Sequence, residues 1–97
     1  MLFHISYLPR SGADGRVALG RFTRWTPPSG FEFKSHHASS NGQGGFAIVE
    51  TSSAALIIEA TATFADVLDF EVKPVLDINE AVPVLMKANA WIDSLSS

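Results

Sequence analysis

The chain has no cysteine. That absence excludes a disulfide framework, a thiolate metal site and a thiol nucleophile together. Its first residues, Met-Leu-Phe-His-Ile-Ser-Tyr-Leu-Pro-Arg, carry neither a basic lead nor a long apolar run, and no later stretch approaches the roughly 20 apolar residues that span a bilayer. A cytoplasmic protein without membrane contact is therefore expected. Charged residues are few, at 18% against 46% hydrophobic, a globular balance. Excess positive charge is also missing: residues 1–37 sum to +3, residues 38–97 to −6, and the whole chain to −3. Such a chain has no general attraction for phosphate, which argues against a nucleic-acid partner. There is no phosphate loop, nucleophile elbow or zinc-protease helix. At 97 residues the chain is the length of one domain, 1–97, and dividing it leaves pieces too small to bury a useful core.

What is present is alternation. From Leu2 to Leu8, Phe3, Ile5 and Tyr7 fall on one side and His4 and Ser6 on the other, the pattern of a half-buried strand. Ala18, Leu19, Phe22 and Trp25 recur at helical spacing, and Pro27, Pro28 and Gly30 end that helix. Phe31 to Ser39 alternates again. Asn41-Gly42 is a strong signal for a type I′ hairpin, and with those two as the loop His37 opposes Phe46, Ser35 opposes Ile48 and Phe33 opposes Glu50. This register predicts Phe31, Phe33, Phe46 and Ile48 on one face, with Glu32, Lys34, His36, Ala47 and Val49 on the other.

Gly44 to Thr51 reads as a central strand entering a second helix over Ser52–Phe64, with Thr51, Ser52 and Ser53 as competing caps. Leu68 to Leu76 alternates as a fourth strand. Asp77 and Glu80 then have capping-box spacing before an apolar stripe of Ala81, Val84, Leu85, Ala88, Trp91, Ile92 and Leu95. Pro83 is expected in or near the first turn. The order βαββαβ plus a C-terminal helix predicts an α+β, ferredoxin-like sandwich, one four-stranded antiparallel sheet with helices on a single face.

The Phe3-His4-Ile5 start, the Gly44–Thr51 strand and the Lys73-Pro74-Val75-Leu76 segment, in this order of elements, resemble a family of small uncharacterised bacterial proteins with the dimeric α+β barrel fold. The resemblance implies a homodimer in which two open sheet faces form a barrel and the terminal helix clasps the partner. Some superfamily relatives are cofactor-independent monooxygenases, isomerases or haem-handling enzymes. No catalytic motif of theirs matches, and no catalytic residue is carried across.

The candidate functional residues come from the register. Glu50, placed beside Phe33, is a candidate general acid or base, because burial raises a carboxyl pKa; a structural place against the second helix is the competing reading. His4 and His36, on the open face about 9–10 Å apart, are candidate ligand-binding residues. Tyr7 and His37, also candidate ligand-binding residues, are expected to meet on the aromatic face, where a satisfied core pair is the competing reading. The adjacent His36 and His37 point to opposite faces and do not chelate one ion, so no metal site and no cofactor are predicted. Arg10, Arg16, Arg21 and Arg24 form a basic edge, and Trp25 and Trp91 are core or dimer contacts. Gly45 to Glu50 partly matches an RNA-recognition strand but lacks its basic residue and two of its aromatics. The two functions left standing are a small homodimer binding an apolar or aromatic molecule, and a cofactor-independent enzyme using Glu50 or a histidine for proton transfer.

Overall fold

The computed structural model describes residues 1–96. The elements are β1 (Leu2–Pro9), α1 (Gly15–Arg24), β2 (Glu32–Ala38), β3 (Gly45–Glu50), α2 (Ala54–Ala62), β4 (Leu68–Val75) and α3 (Ile78–Ser94). The strands form one sheet in the order β2-β3-β1-β4, antiparallel throughout. This is the ferredoxin-like α+β arrangement with a C-terminal helix.

Residues paired across strands share a face, so Ile5, Ala47 and Val49 turn together towards α1 and α2. They form the main core with Phe31, Ile57 and Ala60, and Val49 is fully buried. Ala18, Phe64 and Val67 make a second, adjoining cluster. Trp25 lies edge-on to Phe31, Phe33 and Phe64 at centroid distances of 6.2, 6.3 and 5.3 Å, and so joins the two clusters. Asp14 caps α1 by accepting the Arg16 backbone N–H. Arg21 fixes the other end, donating to both carboxylate oxygens of Asp66 at 2.6 and 3.0 Å and to the Thr63 carbonyl at 2.8 Å.

The hairpin corrects the sequence reading in two respects. Gly42 takes positive φ (+76°) and Asn41 does not, so the turn is not type I′. A wider loop closes between Ser39 N–H and the Gly44 carbonyl, and it keeps the expected pairing of His37 with Phe46 and of Ser35 with Ile48. Beyond Ser35 the register slips. Lys34 is an extra residue, and Phe33 opposes Val49 rather than Glu50. The aromatic rings are consequently divided: Phe31 and Phe33 pack with the core on the helix side, whereas Phe46 and Ile48 share the open face with His4.

At the entry to α2, Ser53 is the N-cap without a side-chain cap bond, and buried Thr51 instead accepts the Ser53 N–H at 3.2 Å. Asp77 caps α3 through the Asn79 N–H at 2.9 Å, as its spacing implies. Pro83 lies in the second turn of α3, six residues past the cap, so it deprives the Asn79 carbonyl of its helical partner. None of α3 is buried, and Leu85, Trp91 and Ile92 are 57%, 65% and 54% exposed. The radius of gyration, 17.6 Å, exceeds the ~13 Å of a compact chain of this length, and the longest extent is 60 Å. The helix extends away from the body with its apolar stripe uncovered.

Candidate functional site

A cavity of about 720 Å³ lies between the helix side of the sheet and the two helices above it. Its size is that of a small-molecule site. The sheet contributes Ile5, Tyr7, Phe33, His36 and Ala47; α1 contributes Ala18, Leu19 and Phe22; and α2, with the turn after it, contributes Ala60, Thr61 and Phe64. The wall is mostly apolar because each of these strand positions is the inward half of an alternation, and Ala18, Ala60 and Phe64 are buried beneath the helices.

Within this wall the Tyr7 hydroxyl and Nε2 of His36 are 2.7 Å apart. Their strands are not neighbours, since β3 runs between β1 and β2. The side chains meet above Gly45, which opposes both Tyr7 and Ala38 and has no side chain to intervene. A Cβ on Gly45 falls 2.9 Å from the Tyr7 hydroxyl and collides with the His37 carbonyl oxygen. His36 stacks on Phe33 with ring centroids 5.1 Å apart and planes 5° from parallel, and meets Phe22 edge-on at 5.4 Å. Burial lowers the His36 pKa below its ordinary value, and the charge of neighbouring His37 lowers it further, so the imidazole is neutral at pH 7. Burial raises the Tyr7 pKa. The pair is therefore an uncharged phenol and an uncharged imidazole sharing one proton.

The other expected site residues lie elsewhere. Tyr7 meets His36 rather than His37. His4 and His36 do not share a face: His4 stacks on Phe46 of the open face at 5.2 Å, and His37 approaches the same ring at 5.2 Å. Glu50 also turns to the open face, opposite Leu2 and Glu32 instead of Phe33, and accepts a hydrogen bond from the Met1 amino group at 2.7 Å. The cause is that the helices cover the Ala47–Val49 side of the sheet, which turns His36 inward and Glu50 outward, while the bulge at Lys34 brings Phe33 to the same inward side. The basic edge is largely spent locally, with Arg10 on Asp69, Arg16 on Asp14 and Arg21 on Asp66. Among the described residues no cluster of three metal-ligating side chains occurs, and no helix is long and apolar enough to cross a membrane. Sequence reasoning missed the Tyr7–His36 pair; the signal that marks it is Gly45, a small residue inside a strand where side chains from both flanks converge.

No curated protein and no solved structure matches the chain. A family model does match, over residues 1–89, and it is described as a domain of unknown function, DUF3303. The matched span takes in the whole sheet, α1, α2 and most of α3, so the chain belongs to the DUF3303 family.

Proposed function

We propose that this protein binds a small apolar or aromatic molecule between its sheet and helices, as one subunit of a homodimer. The observation that carries the binding role is the 720 Å³ cavity, walled chiefly by aromatic and aliphatic groups, with an uncharged hydrogen-bonding pair on its sheet side. The dimer is supported by α3. A solitary helix of this length with a proline in its second turn is marginal in water, and eight of its apolar side chains or those of its cap, Ile78 to Leu95, stand more than 40% exposed. A second copy of the chain is the partner proposed to cover it, in a barrel formed by two open sheet faces. A thermal-shift screen of aromatic compounds tests the binding role, since a ligand of the folded state raises its melting temperature. Absence of any stabilising compound argues against it.

The Tyr7–His36 pair favours a second reading, a cofactor-independent enzyme acting on the bound molecule. In that reading His36, not Glu50, is the proton acceptor, because Glu50 is absent from the cavity wall and ion-paired on the opposite face. Turnover of a bound compound that survives in Glu50→Gln and disappears in His36→Phe is its test.

A further inference from the structure

Building on the cavity as a binding site, we infer that its preferred ligand is an uncharged aromatic carrying an O–H or N–H donor, such as a hydroxyarene, held through the Tyr7 oxygen. The inference follows from where the protons in the wall already point. We take His36 in its Nδ1–H tautomer, in which the phenol, a stronger acid than an imidazole N–H, donates its proton to Nε2. The tyrosine hydroxyl is thereby used as a donor, and its remaining lone pairs are acceptors. Thr61, the other wall residue with a side-chain hydroxyl, is in the same position: it donates to the Ile57 carbonyl at 2.9 Å and also retains only acceptor capacity.

Charge is equally constrained. The ion pair in the wall is Arg16 with Asp14, whose side chains bond each other at 3.2 and 3.3 Å, and with the Arg16 side chain 91% exposed its charge is both paired and solvated. His36 is neutral and adds no cation. A carboxylate ligand would bring negative charge to the oxygen lone pairs of Tyr7 and Thr61, and an ether or ketone would find no donor in either hydroxyl. A hydroxyl or N–H group on the ligand is the complement of these two oxygens.

The test compares a naphthol, its methyl ether and the corresponding naphthoate by calorimetry on the full chain, with Tyr7→Phe as the variant. The naphthol is expected to bind about tenfold more tightly than the ether, the size of one good neutral hydrogen bond, and the naphthoate more weakly than either. In Tyr7→Phe the tenfold preference for the naphthol over the ether is expected to disappear. Equal binding of naphthol and ether by the wild type, or tightest binding by the naphthoate, overturns the donor preference while leaving the cavity as a binding site. Failure of all three to bind overturns both. The wild-type comparison decides the matter even if the variant does not fold.

Discussion

Tyr7 and His36 join across an intervening strand, 2.7 Å apart, above a residue that has no side chain. The hydrogen bond thus depends on Gly45 as much as on its two partners. Gly45→Ala is expected to destabilise the fold by about 1–3 kcal/mol, the usual cost of forcing an added carbon into a packed site. In a chain of this size the melting temperature falls by about 4–8 °C per kcal/mol, which calorimetry reads directly. The same substitution moves the Tyr7 hydroxyl, so the donor preference of the cavity is expected to weaken with it.

His36 gives the fold a dependence on pH. Its pKa in the folded protein lies below that of the unfolded chain, where a histidine titrates near ~6.5. Between those two values the unfolded state binds the proton and the native state does not, so stability declines as pH falls through about 6.5 and levels off below the native pKa. Denaturant unfolding is expected to show constant stability from His36 above about pH 7 and a loss below it, and His36→Phe is expected to remove that part of the slope. An NMR titration should place the His36 midpoint below the ordinary range.

Glu50 is expected to be dispensable to the cavity. Its ion pair with the Met1 amino group joins partners that are 41% and 63% exposed, a setting in which such pairs contribute little. Glu50→Gln is expected to change unfolding free energy by less than about 1 kcal/mol and to leave any ligand-induced thermal shift intact. A lost shift would return Glu50 to consideration.

The uncovered stripe on α3 leads to an expectation for assembly. Leu85→Glu combined with Trp91→Glu places charge on that stripe without touching the core, as both positions are more than half exposed in the single chain. Light scattering is expected to show a dimer for the wild type and half that mass for the double variant. A wild-type protein of monomer mass at micromolar concentration would end the proposal that α3 clasps a second copy.

Much of the fold was legible because alternation and helical spacing are local. β1 runs as its Phe3-Ile5-Tyr7 side implies, α1 stops before Pro27, and Asp77 caps α3. The site was less legible, because it depends on which residues oppose each other, and one unpaired position alters that for everything beyond it. Phe31-Glu32-Phe33-Lys34-Ser35-His36 is compatible with a regular strand and with a bulged one. The choice is made by tertiary packing: Phe33 reaches Trp25 and Phe31 only from the helix side. Pro83 carries a similar lesson, since a solvent-facing helix tolerates an unpartnered carbonyl where a buried one would not.

Phe33 and His36 are three positions apart, and in an unbroken strand that spacing sends two side chains in opposite directions. Here they stack, because Lys34 takes up one step of the pleat. Straightening the strand with Lys34 retained would put the phenyl ring and the imidazole out of phase and strip the cavity of one or the other, whereas deleting Lys34 would leave them two positions apart on one face. Relatives that share the pocket should therefore space these two residues either three apart across a bulge or two apart in a regular strand, however freely the Lys34 side chain itself varies.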